Sequence, residues 1–118
     1  MTDIRRQLLL LLAETYLRLG RPRRTLLLLV PLARGDLDVH LRRLALRAYL
    51  AIGDNARALD QVDHLVEHEF SSDELAFTLA AQSRALAGLG ETAAARTAWA
   101  ECVAICRTAG LSPMDYAP

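Results

Sequence analysis

The chain has 118 residues and no formal net charge at pH 7, with 53% hydrophobic and 24% charged residues. That length suits a single domain, the apolar content excludes intrinsic disorder, and neutrality leaves no global field to recruit nucleic acid. Leucine (24) and alanine (20) dominate, Gly (6) and Pro (4) are sparse, and the two Cys are too few for a disulfide scaffold, so an all-α fold is expected.

A first helix is expected over residues 3–19. Its apolar run, Leu8 to Ala13, follows Arg5 and Arg6 as in a signal peptide. Glu14 cuts it short, no small-x-small cleavage site follows, and a membrane span needs roughly 20 apolar residues. The expectation is a cytoplasmic protein with no membrane insertion. A second helix over 22–34 opens with Pro22 at its first position, while Pro31 predicts a kink or an early end. A third is expected over 37–52 and a fourth over 55–69, with Asp36 and Asp54 as N-caps. The fifth, 72–89, follows the capping-box sequence Ser71-Ser-Asp-Glu74, and the sixth covers 92–109. Residues 1–109 then form the domain, and 110–118 read as an irregular tail.

Three segments align. In the first, Tyr16 stands four before Gly20, with Thr25 five after it and Leu29 four further on. Tyr49, Gly53, Ala58 and Val62 repeat that order, and so do Leu86, Gly90, Ala95 and Trp99. The glycines are 33 and 37 residues apart. A glycine closing one helix can take the left-handed conformation, a small residue early in the next allows close antiparallel approach, and the large one fills the seam. Tyr16, Tyr49, Ala58, Ala95 and Trp99 are accordingly assigned to the seam between helices. A period near 34 with these marks is the tetratricopeptide signature, and predicts three helix-turn-helix repeats in a short right-handed superhelix.

The first helix of each such pair lines a concave wall that takes a peptide or a helix. Projecting the pattern places Leu10, Glu14 and Leu17 on the wall from the first repeat, and His40, Arg43, Arg47 and Leu50 from the second. The third contributes Phe77, Ala80, Arg84 and Ala87. Leu and Phe suit an apolar helix face, and the arginines can fork carboxylates. Charge is uneven along the chain: residues 1–57 hold 11 Arg against 5 acids, and residues 58–118 hold 3 Arg against 9 acids. One end therefore suits an acidic partner surface.

His64-Leu-Val-Glu67-His68 fits the H-x-x-E-H pattern of inverted zinc proteases, with both His on one helix face. No third ligand is marked, and two exposed His near a helix C-terminus are the simpler reading. Cys102 and Cys106 are one turn apart, which suits packed thiols better than a disulfide. With no phosphate-binding glycine loop, nucleophile elbow or paired-carboxylate motif, no enzyme activity, metal or cofactor is expected.

Over about residues 7–105 the chain resembles the type III secretion chaperones of the YscY type. The resemblance rests on Leu8-Leu-Leu-Leu-Leu12, on Leu19-Gly-Arg-Pro-Arg-Arg-Thr-Leu-Leu-Leu-Leu29, on His40-Leu-Arg-Arg-Leu-Ala-Leu-Arg47, and on Ser83-Arg-Ala-Leu-Ala-Gly-Leu-Gly-Glu-Thr-Ala-Ala-Ala-Arg96. It implies a cytosolic chaperone that holds a small export substrate, the X-type partner, through an amphipathic helix and presents it to the cytosolic domain of the export gate. The needle-subunit co-chaperone of the same system and a general tetratricopeptide adaptor are the alternatives.

Overall fold

The computed structural model describes residues 3–29, 39–68 and 71–117. Among them are six α-helices and no strand: α1 (Asp3–Arg18), α2 (Pro22–Leu29), α3 (Val39–Ile52), α4 (Asn55–Leu65), α5 (Ser72–Gly88) and α6 (Thr92–Ala109). No helix among the described residues is long and apolar enough to cross a membrane. Pro31, Asp36, Glu69 and the expected start of the third helix at residue 37 lie outside the described residues.

The turns after α1, α3 and α5 are built alike. Gly20, Gly53 and Gly90 have φ of 74°, 77° and 82°, the left-handed region open to a residue without Cβ. In each turn the amide after the glycine donates back to a carbonyl five residues earlier: Arg21 to Tyr16 at 2.8 Å, Asp54 to Tyr49 at 2.9 Å, and Glu91 to Leu86 at 2.9 Å. This closure satisfies carbonyls that the helix end leaves open and turns the chain directly into the next helix. The large residue expected four before each glycine is thus the acceptor of the closing bond.

The caps follow local chemistry. Pro22 is the first residue of α2, where its missing N–H costs nothing. The Asp54 side chain accepts from the Arg57 amide at 3.2 Å, and Ser71 Oγ accepts from the Glu74 amide at 3.1 Å. The fourth helix is shorter than expected. Its α-helical part ends at Leu65 and tightens into a 3-10 turn over Val66–His68, so Glu67 and His68 are not α-helical.

Each helix packs on the one before and the one after it. In addition α1 touches α3, and α3 touches α5, so the odd-numbered helices form a row. Three core clusters follow one another along the chain. Ala13, Leu29, Leu41 and Leu44 join α1, α2 and α3. Leu46, Ala58, Val62, Leu65, Ala81 and Ala85 join α3, α4 and α5. Ala76, Leu79, Ala80, Cys102 and Cys106 join α5 and α6. Alanine at many of these contacts lets backbones approach closely, while Leu and Val fill the remaining volume. Of the residues assigned to the seam, Ala58 and Ala95 are buried, and Tyr16, Tyr49 and Trp99 are half-buried.

The tail differs from the irregular segment expected. Pro113–Tyr116 form a 3-10 turn that contacts α5 and α6, and Leu111 and Tyr116 pack on the last core cluster. Pro113 starts the turn, and the αL residue Gly110 (φ 73°) directs the chain back across the helices.

Candidate functional site

A cleft of 620 Å³ opens on the row of odd-numbered helices. Leu10 and Glu14 come from α1, His40, Arg43, Leu44 and Arg47 from α3, Asp73, Glu74 and Phe77 from α5, and Tyr116 from the tail. The contributions are spaced by helix periodicity: 10 and 14, 40, 43, 44 and 47, then 73, 74 and 77 each lie on one face of their helix. Leu10, Leu44 and Phe77 also pack against the core beneath, so the apolar part of the cleft is held from behind.

The polar part is arranged in pairs. Arg43 Nη2 lies 3.0 Å from Glu74 Oε2, which ties α3 to the first turn of α5 across the cleft. Glu74 is placed there by the Ser71 cap, and a carboxylate in a first turn is favourable to the helix dipole. The Tyr116 hydroxyl donates to Asp73 Oδ1, which anchors the tail at the cleft's edge. That hydrogen bond, reinforced by partial desolvation and the carboxylate charge, pushes the Tyr116 phenol up to about 12. Glu14 lies 4.0 Å from Arg18 one turn along α1. Arg42, beside the cleft residue Arg43, donates to Gln61 at 3.2 Å and so ties α3 to α4. His40 and Arg47 are exposed on the α3 side, seven residues apart on one face. The arrangement therefore offers an apolar floor with a cationic edge on α3 and an acidic edge on α5.

Six residues projected onto the wall, Leu10, Glu14, His40, Arg43, Arg47 and Phe77, meet in this cleft. Five do not line it. Leu17 and Leu50 are half-buried against the core clusters. Ala80 is 7% exposed and belongs to the α5–α6 core, because it faces α6 and not the row. Arg84 and Ala87 are exposed but stand seven and ten residues beyond Phe77, about 10–15 Å further along α5. Leu44, Asp73, Glu74 and Tyr116 were not projected. Leu44 is one turn from His40, and Asp73 and Glu74 one turn before Phe77, so extending each face by a turn finds them. No periodicity marks Tyr116, which meets Asp73 across 43 residues.

The H-x-x-E-H residues straddle the end of α4. The rings of His64 and His68 each bond a carbonyl one turn earlier, His64 to Asp60 at 2.9 Å and His68 to His64 at 3.0 Å. Among the described residues no group of three or more His, Cys, Asp or Glu is arranged to hold a metal ion.

Searches against protein-family models, curated proteins and solved structures return no match for this chain.

Proposed function

We propose that the chain is a non-catalytic binding module that holds an amphipathic helix of another protein in the cleft formed by α1, α3 and α5. The observation that carries this reading is the origin of the lining: nine of its ten residues belong to the odd-numbered helices, and the tail supplies the tenth. That is the wall expected of three tetratricopeptide-like hairpins stacked into a short right-handed superhelix. The shared glycine turns and the contacts of α1 with α3 and α3 with α5 support the same arrangement.

Apolar side chains on a rigid floor suit a helix face, and flanking charges of both signs would set its register. On the resemblance of its sequence, the finer proposal is a type III secretion chaperone of the YscY type in the bacterial cytoplasm. It would shield the apolar face of a small export substrate until delivery to the cytosolic domain of the export gate.

The test uses His40 and Arg47, which line the cleft and are exposed, so that changing them leaves the core intact. The tagged full chain is recovered from its native cell, and bound proteins are identified by mass spectrometry. The wild type should retain a small secreted protein with an amphipathic helix, and H40E/R47E should retain at least about tenfold less with unchanged circular dichroism. Equal recovery by the two proteins overturns the cleft, and recovery of a partner with no link to secretion overturns the chaperone assignment.

A further inference from the structure

Helix α1 is apolar on two sides. Its inner side carries Ala13, fully buried, with Leu9, Leu10 and Leu17 packed beside it. On the other side Ile4 is 71% exposed, Leu8 60%, Leu11 59% and Leu19, just past the helix end, 65%. At 100° per residue these four and Thr15 fall within an arc of about 80°, and Ala13 points roughly 160° away from its centre. Leu12, 42% exposed, borders the strip. The Thr15 hydroxyl donates to the Leu11 carbonyl at 2.8 Å, so its hydrogen is satisfied within the helix.

The first and last helices are finished differently. At the α6 end, Leu111 and Tyr116 fold back onto the core around Cys102 and Cys106. At the α1 end the outermost helix presents bare leucines, whereas stacked helical hairpins stay soluble by keeping a polar outer face on their terminal units. The positions Ile4, Leu8, Leu11 and Thr15 are spaced 4, 3 and 4 residues apart, which is the seam on which a second helix lies at a shallow angle. From Ile4 to Leu19 the strip runs about 22 Å, four helical turns.

Charge selects the occupant. On the same helical wheel Arg5 and Arg18, both exposed, flank the strip at about 80° and 60° from its centre, Glu14 and Asp3 lie about 100–120° away, and Arg6 falls on the opposite side. A second copy docking through the same face would press two cationic surfaces together, which opposes self-association. The outer strip has no Trp or Tyr of the kind that anchors an interfacial helix at lipid headgroups. We propose that the outer face of α1 docks an acidic amphipathic helix of a partner protein, its apolar row on Leu8 and Leu11 and its carboxylates toward Arg5 and Arg18. This surface is separate from the cleft and does not depend on what the cleft holds.

The probe is a labelled designed peptide of four helical turns, with leucines at 3–4 spacing flanked by glutamates, titrated into the full chain and followed by anisotropy. A companion peptide carries lysines in place of the glutamates, and vesicles of mixed phosphatidylcholine and phosphatidylglycerol are tested in parallel. The acidic peptide should bind, and L8S/L11S should weaken it about tenfold or more while H40E/R47E leaves it unchanged. Added salt should weaken it too, since the arginine rim is exposed. Both leucines are exposed, so circular dichroism of L8S/L11S should match the wild type. No binding of the acidic peptide, equal binding of the lysine peptide, or no effect of L8S/L11S overturns the proposal. Vesicle binding lost in L8S/L11S would assign the strip to a membrane instead, and a dimer in sedimentation lost in L8S/L11S would assign it to a second copy; either result also overturns it.

Discussion

Thr25 donates its hydroxyl hydrogen bond to the carbonyl of Ala13 at 2.9 Å, and Ser83 donates to the carbonyl of Ala95 at 2.8 Å. Counted from Gly20 and Gly90, these are the same two positions, seven before the glycine and five after it, with donor and acceptor exchanged. In the middle pair the positions are Leu46 and Ala58, both fully buried and without a hydroxyl. One contact point between paired helices is therefore closed by a hydrogen bond twice and by apolar packing once. Thr25→Val and Ser83→Ala should each lower stability by about 1 kcal/mol in urea denaturation. The double variant should lose about the sum, because the two bonds share no partner.

The Arg43–Glu74 pair is partly shielded, with side chains 19% and 33% exposed. Arg43→Ala should cost about 1–2 kcal/mol, between the values for surface and for buried pairs. Arg43→Glu should cost more, because it sets two carboxylates against each other across the cleft. The exchange R43E/E74R should recover part of that loss. Urea midpoints of the four proteins check it; a double variant less stable than Arg43→Glu alone would show that the two residues do not act as a pair.

Gly88, in the last turn of α5, lies against the side chain of Asn55 at the start of α4. A Cβ built at Gly88 meets the Asn55 amide nitrogen and carbon closer than any ordinary contact. Alanine is otherwise worth up to about 1 kcal/mol over glycine in a helix. Gly88→Ala alone should therefore give little gain or a loss, while Gly88→Ala placed on Asn55→Ala should stabilise. A double-mutant cycle by denaturation reads the coupling directly.

Cys102 is fully buried and its Sγ donates to the Ala76 carbonyl at 3.3 Å. Burial, with a smaller contribution from Cys106, pushes its thiol up from 9.0 to about 11. Between those values the unfolded chain has lost this proton and the folded protein keeps it. The contribution to stability is therefore complete below about pH 9 and lost as the pH rises toward 11. Urea midpoints should fall from about pH 8 to pH 10, with a shallower fall in Cys102→Ala. The native thiol should react slowly with a disulfide reagent at pH 8 and quickly once the chain unfolds.

Local chemistry determined much of this protein before any contact between helices. Alanine and leucine content, the caps at Asp54 and Ser71, Pro22, and the glycines at 20, 53 and 90 set six helices and their turns, because each of these acts within a few residues of chain. The positions 10, 14, 40, 43, 47 and 77 were likewise legible as faces, since helix periodicity alone lines them up. Tertiary structure decided which of those faces meet. It sent Ala80 into the core with α6, left Arg84 and Ala87 beyond the cleft, paired Arg43 with Glu74, and brought Tyr116 onto Asp73. Those outcomes depend on distances between helices and on the path of the tail after Gly110, which no local pattern of residue types encodes.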